Sequence, residues 1–150
     1  VRTEVTVTNS IPLPLAAARV TTQISNWSRQ FKPVLDKVYA FLRANEISHK
    51  GINIMIYRPR EDGLVDIECG VQVGAPFAAS GEVVCSATPH GVAATVAHFG
   101  SYAELGVSHR AVVEWARTNG KALTGTCWEI YGHWNDDPEK VRTDLFHLLS

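Results

Sequence analysis

Two repeat lengths alternate along this chain. Between Ser28 and Asn45 the apolar residues Phe31, Val34, Leu35, Val38, Phe41 and Leu42 recur every three or four positions. The same spacing returns at Leu105, Val112, Val113, Trp115 and Ala116. Each run predicts an amphipathic helix buried along one stripe. Elsewhere the period is two and the residues are β-branched or aromatic, which predicts strands over 2–8, 17–24, 52–57, 65–73, 82–88, 92–98, 126–133 and 141–149. The order is β-β-α-β-β, given twice. Pro33 is expected in the first turn of its helix or at its true start, where a missing N–H costs nothing. Ser101 and Glu104 read as a capping box ahead of the second helix, with Asn119-Gly120 as its stop.

Trp27 to Tyr57 laid without gaps over Ser101 to Tyr131 shares Val38/Val112, Arg43/Arg117, Asn45/Asn119, Gly51/Gly125, Ile56/Ile130 and Tyr57/Tyr131. Helix end falls over helix end and strand over strand, so the chain reads as a duplicated unit. One domain is expected, built of repeats at about 1–74 and 82–150 and joined by the turn-rich GAPFAASG. The fold class is α+β: duplicated β-α-β-β modules forming one curved antiparallel sheet, two helices on one face and a ligand groove on the other.

Alternation splits each strand into two faces. Assigning the more apolar face to the helices gives them Ile52, Ile54 and Ile56, then Val65, Ile67, Cys69, Val71 and Val73, then Trp128 and Ile130. The second face then collects Asn53, Met55, Tyr57, Asp66, Glu68, Cys127, Glu129 and Tyr131. Within GTCWEIY, Glu129 is an acid between apolar and aromatic neighbours, costly to bury without a partner. In the first copy Met55 stands where Glu129 stands in the second.

Composition narrows the partners. A net charge of -1 with scattered Lys and Arg argues against a nucleic-acid surface. Cys69, Cys85 and Cys127 are odd in number and lack C-x-x-C spacing, so the expected setting is reducing and cytoplasmic. No apolar run is long enough to span a membrane, and the start has no signal-peptide core. The six histidines show no ligand spacing, so neither metal nor cofactor is expected.

From Thr88 onward the runs TPHGVAATVAHFGSYAEL, EWARTNG, GTCWEIY and VRTDLF resemble the GyrI-like small-molecule-binding domain found in bacterial multidrug-sensing regulators and also alone. Val65 to Val73, VDIECGVQV, is similar to that family's fourth strand. The resemblance implies two β-α-β-β modules of the SHS2 type and a pocket with a central glutamate at Glu129. It also implies lipophilic, often cationic ligands stacked on aromatic rings. Met55 and Cys127 interrupt what would otherwise be an aromatic wall. No DNA-binding module accompanies the domain, so a stand-alone member is expected.

The candidate ligand-binding residues are Glu129, Tyr131, Glu68, Met55, Tyr57, Tyr102 and Cys127. Against a bound cation Glu129 supplies a charge, and tyrosines 57, 102 and 131 add about 0.5 to 2 kcal/mol each where they stack. Against a neutral electrophile, Glu129 with Tyr131 serves as an acid/base pair, and Glu68 is a second carboxylate for the same groove. Three functions follow. The first is a sensor or sequestering protein for a small lipophilic or cationic compound. The second, suggested by similar stand-alone members, is a hydrolase of strained cyclopropanoid electrophiles. The third is a DNA gyrase inhibitor acting through its surface, with gyrase or a regulator as protein partner.

Overall fold

The computed structural model describes residues 4–150, so Arg2 and Thr3 of the first expected strand lie outside the described residues. The strands are β1 (Thr6–Ser10), β2 (Pro14–Thr22), β3 (His49–Pro59), β4 (Val65–Val73), β5 (Val84–Ala87), β6 (Gly91–Phe99), β7 (Leu123–Tyr131) and β8 (Arg142–Leu149). The helices are α1 (Ile24–Ala44) and α2 (Leu105–Thr118). The protein is therefore α+β with antiparallel strand pairing, in the element order that the two periods predict. No helix among the described residues is long and apolar enough to cross a membrane.

Two local expectations are corrected. α1 begins at Ile24, which places Pro33 well inside it. Pro33 cannot donate to the carbonyl of Arg29, yet both residues are exposed, so the lost bond falls on the solvent side of the helix. Ser101 does cap, but its Oγ accepts from Ala103 N at 3.1 Å and so starts the 3₁₀ turn Tyr102–Glu104 that precedes α2.

The chain forms two compact units, one of residues 12–88 and one of residues 89–150 with the segment up to Ile11. In the first, the ladder runs β3-β4-β2-β5. In the second it runs β7-β8-β6-β1, the same arrangement of equivalent strands. β1 thus completes the sheet of the unit whose other strands come from the second half of the sequence.

The residues shared by the two copies turn out to be structural devices. Asn45 Nδ2 donates to Phe41 O at 2.9 Å, and Asn119 Nδ2 donates to Trp115 O at 2.8 Å, so both helices close on the same side-chain cap. Val38 and Val112 are both fully buried. Gly51 and Gly125 adopt φ of 72° and 96° where each strand slips register against its neighbour, between His49 and Asn53 and between Leu123 and Cys127. A bulge that needs the left-handed region selects glycine.

Each unit packs its helix on its own sheet. Val38 and Leu42 of α1 sit on Ala16, Ala18, Val71 and Val73, while Leu105 and Val112 of α2 sit on Ala94, Val96 and Leu145. The face assignment of β3 and β7 is the opposite of the one expected. Met55 lies under α1, with Trp27 Nε1 donating to its Sδ at 3.4 Å, and Asn53 accepts from Tyr39 of the same helix at 2.5 Å. Glu129 lies under α2, bonded to His109. The isoleucines at 54 and 56 and Trp128 point to the other side of the sheet, where they are just as deeply buried. Trp128 stacks there on Phe146 at 5.1 Å. With both faces of the strand buried, hydrophobicity cannot say which one meets the helix.

Candidate functional site

Strand β7 places Cys127, Glu129 and Tyr131 on the face covered by α2, opposite His147, Leu145 and Thr143 of β8. Glu129 is buried, 5% exposed, and is held on both oxygens. Tyr131 donates its hydroxyl to Oε1 at 2.6 Å, and His109 Nε2 lies 2.7 Å from Oε2. The other nitrogen of that imidazole, Nδ1, lies 2.8 Å from His147 Nε2. Tyrosine, carboxylate and two imidazoles therefore form one continuous hydrogen-bonded line beneath the helix. With Glu129 ionised, His109 carries its proton on Nε2, which leaves Nδ1 to interact with the second ring.

The surroundings tune these groups. Burial, reinforced by the neighbouring His109, lowers His147 to about 4 against a weaker pull upward from Glu129, so its imidazole is neutral at ordinary pH. Burial and then the charge of Glu129 push the Cys127 thiol up to about 12. A protonated thiol is a poor nucleophile, so Cys127 on its own is not equipped for covalent catalysis.

A file of rings approaches the carboxylate from the surface. Trp134, 68% exposed, meets Tyr102 at 6.2 Å, and Tyr102 meets Tyr131 edge-on at 5.5 Å. Tyr102 and Trp134 line a cavity of about 310 Å³ with Gly100, Ser101, Pro138 and Val141. His98 steadies one wall of that cavity, at Ser101: its Nδ1 lies 2.7 Å from Ser108 Oγ and its Nε2 lies 2.9 Å from Ser101 O. Such spacing fits an imidazole donating from Nε2 and accepting on Nδ1.

Of the residues expected to bind ligand, Glu129, Tyr131, Tyr102 and Cys127 thus share one unit. Met55 and Tyr57 occupy the equivalent place in the other unit, where Tyr57 donates its hydroxyl to Met55 Sδ at 3.4 Å. Glu68 was expected on the same face as these residues and is not. It pairs across the ladder with Ile56, on the side of β4 away from α1. There Arg58 Nη1 binds it at 2.5 Å, Ser86 donates to its other oxygen, and Arg19 lies at 3.8 Å. Asp66 follows it, accepting from Thr21 at 2.6 Å. Alternation predicts the helix-facing side of β4 but not that of β3, whose two sides are equally buried, so the residues expected together are split between faces.

His109, His147 and Trp134 escaped the sequence reading. A signal existed for two of them. His109 falls on the buried stripe of α2 with Leu105, Ser108 and Val112, and His147 alternates with the buried Leu145 and Thr143. Sequence spacing shows nothing, because the two histidines come from different elements and meet only through the fold.

No protein-family model matches this chain, and no curated protein does either. The fold is shared with solved structures. The C-terminal domain of EcmrR superposes with a TM-score of 0.77 at 18% identity, covering 99% of this chain and 98% of that one. The same similarity extends to EcmrR in a DNA complex, of whose length this chain spans 57%. SAV2435, in a structure bound to tetraphenylphosphonium, gives a TM-score of 0.70 at 11% identity over 98% of this chain and 94% of that one. A hydrolase from Listeria innocua gives 0.63 at 10% identity over 98% and 92%.

Proposed function

We propose that this protein is a GyrI-like small-molecule-binding module that holds a lipophilic cation by the charge of Glu129, as a sensor or a sequestering protein. The observation that carries the reading is the file of rings from Trp134 through Tyr102 and Tyr131 to a buried carboxylate. Exposed rings at the cavity mouth attract a delocalised cation through their faces, and a carboxylate fixed from two sides is oriented before the ligand arrives. The likeness to SAV2435, seen with a phosphonium cation, supports the same class of ligand. Cys69, Cys85 and Cys127 are all free thiols, in keeping with a cytoplasmic setting.

Isothermal titration with tetraphenylphosphonium tests this. Binding is expected in the wild type, weakened about tenfold or more, ~1.4 kcal/mol, in both Glu129→Gln and Tyr102→Ala. Equal affinity in Glu129→Gln would overturn the reading.

A second reading rests on the hydrogen bond of 2.6 Å between Tyr131 and Glu129, a carboxylate base beside a phenol acid. In that case the protein is a hydrolase that directs water onto a strained or activated electrophile. Time-dependent consumption of a reactive cyclopropane, lost in Glu129→Gln, distinguishes it from a binder.

A further inference from the structure

We propose that His109, Cys127 and His147 form a binding site for a single transition-metal ion of the zinc class, independent of any organic ligand. One ring nitrogen of each histidine and the Cys127 sulfur lie within 4.8 Å of one another. The three donors come from three elements: His109 from α2, and Cys127 and His147 from directly opposed positions of β7 and β8.

The geometry suits a small tetrahedral ion. Zn–N of about 2.0–2.1 Å and Zn–S of about 2.3 Å place tetrahedral donors roughly 3.3–3.6 Å apart, so side-chain rotations of about an ångström convert the cluster into a ligand set. The two imidazole nitrogens are at 2.8 Å, close enough that one proton must be shared between them. An ion seated between the rings replaces that proton as the bridge. Two imidazoles with a thiolate select zinc, cobalt or copper over magnesium or calcium.

The outer partners are already in place. His109 gives its Nε2 to Glu129, which directs Nδ1 inward as the ligating atom, and Tyr131 holds Glu129 in turn. A histidine whose far nitrogen is fixed by a carboxylate is the common arrangement around protein-bound zinc, where it sets the tautomer and raises ligand basicity. The proton balance is explicit. Cys127 releases its thiol proton to solvent, the proton between the rings moves to His147 Nδ1, and His109 keeps its proton on Nε2 toward Glu129. With three protein donors, the fourth position belongs to water or an exogenous ligand.

Cobalt titration of the purified chain, with no organic ligand present, tests this. The expected result is one equivalent bound, with the visible spectrum of tetrahedral cobalt and a thiolate-to-cobalt charge-transfer band. Cys127→Ser should lose that band, and His147→Gln should bind at least about a hundredfold more weakly. Glu129→Gln should keep the band while losing about 10- to 100-fold in affinity, as outer-partner changes do. Circular dichroism of each variant establishes that it is folded. Should Cys127→Ser fail to fold, zinc-dependent elevation of Tm in wild type and its absence in His147→Gln gives the same answer. An octahedral spectrum, a band that survives Cys127→Ser, or no uptake at stoichiometric cobalt overturns the proposal. None of these outcomes bears on the phosphonium titration, which is run free of metal.

Discussion

Glu129 and Met55 occupy the same place in the two copies of the repeat, and each is gripped from two sides. The hydroxyl of the tyrosine two residues on reaches back to it, Tyr131 in one copy and Tyr57 in the other. A side chain from the covering helix reaches down, His109 in one and Trp27 in the other. The scaffold is duplicated, and the chemistry it carries diverges: one copy has a thioether beneath a tryptophan and the other a carboxylate beneath a histidine.

The grip on the carboxylate carries a measurable cost. Tyr131→Phe removes a donor from a buried carboxylate and should destabilise the fold by about 1–3 kcal/mol. Urea unfolding of this variant beside wild type checks the loss. An unchanged stability would show that the carboxylate does not depend on this phenol.

The twin helix caps predict equal effects. Asn45→Ala and Asn119→Ala each remove the side-chain donor from a last-turn carbonyl, at Phe41 and Trp115, that keeps only its backbone bond from the same residue, and should each destabilise by about 0.5–1.5 kcal/mol. Thermal unfolding of the single and double variants should give nearly additive losses, because the caps lie in separate units.

Gly70→Ala should be among the most damaging small changes in the chain. A Cβ at Gly70 would fall on the backbone carbonyl of Ala16 in the adjacent strand β2, inside any allowed contact. Backbone cannot rotate away as a side chain can, so a loss of about 3 kcal/mol or more is expected, measured by denaturant unfolding. An ordinary stability would mean that β2 and β4 separate more easily than their ladder suggests.

Alkaline pH should weaken the fold through Cys69. Burial pushes this thiol from 9.0 up to about 12, so the folded state keeps its proton where the unfolded chain gives it up. The contribution is whole below pH 9 and is lost as pH rises toward 12, with a slope of up to about 1.4 kcal/mol per pH unit. Tyr39, raised by burial and then by Cys69, acts in the same direction. Urea unfolding at pH 8, 9 and 10 should show the decline, and Cys69→Ala should make it shallower, the remainder belonging to Cys127, whose thiol is likewise pushed up to about 12 by burial and Glu129. An unchanged slope would assign the effect to other groups. In the native protein at pH 8, Cys69 should also resist thiol-specific labelling.

Local order was legible in the sequence because it depends on neighbours along the chain. The two helical stripes, the eight alternating segments and the pairing of Asn45 with Asn119 are short-range patterns, and the structure uses each of them. Glu129 and Tyr131 share a face by their spacing of two alone. Pro33 shows the limit of such rules: it marked a helix start by propensity, yet the packed stripe from Trp27 to Leu42 carries α1 through it.

What the chain by itself determined is the set of elements, their duplication, and the presence of one acid in an otherwise apolar strand. The tertiary structure alone decided which way that acid faces. A strand buried on both sides offers two apolar-compatible phases, and only the seating of α2, with His109 above Glu129, distinguishes them. The same holds for the line from Glu129 through His109 to His147 and for the grouping of Cys127 with two histidines. Those contacts join residues 18 to 38 positions apart, and register and helix packing set such distances.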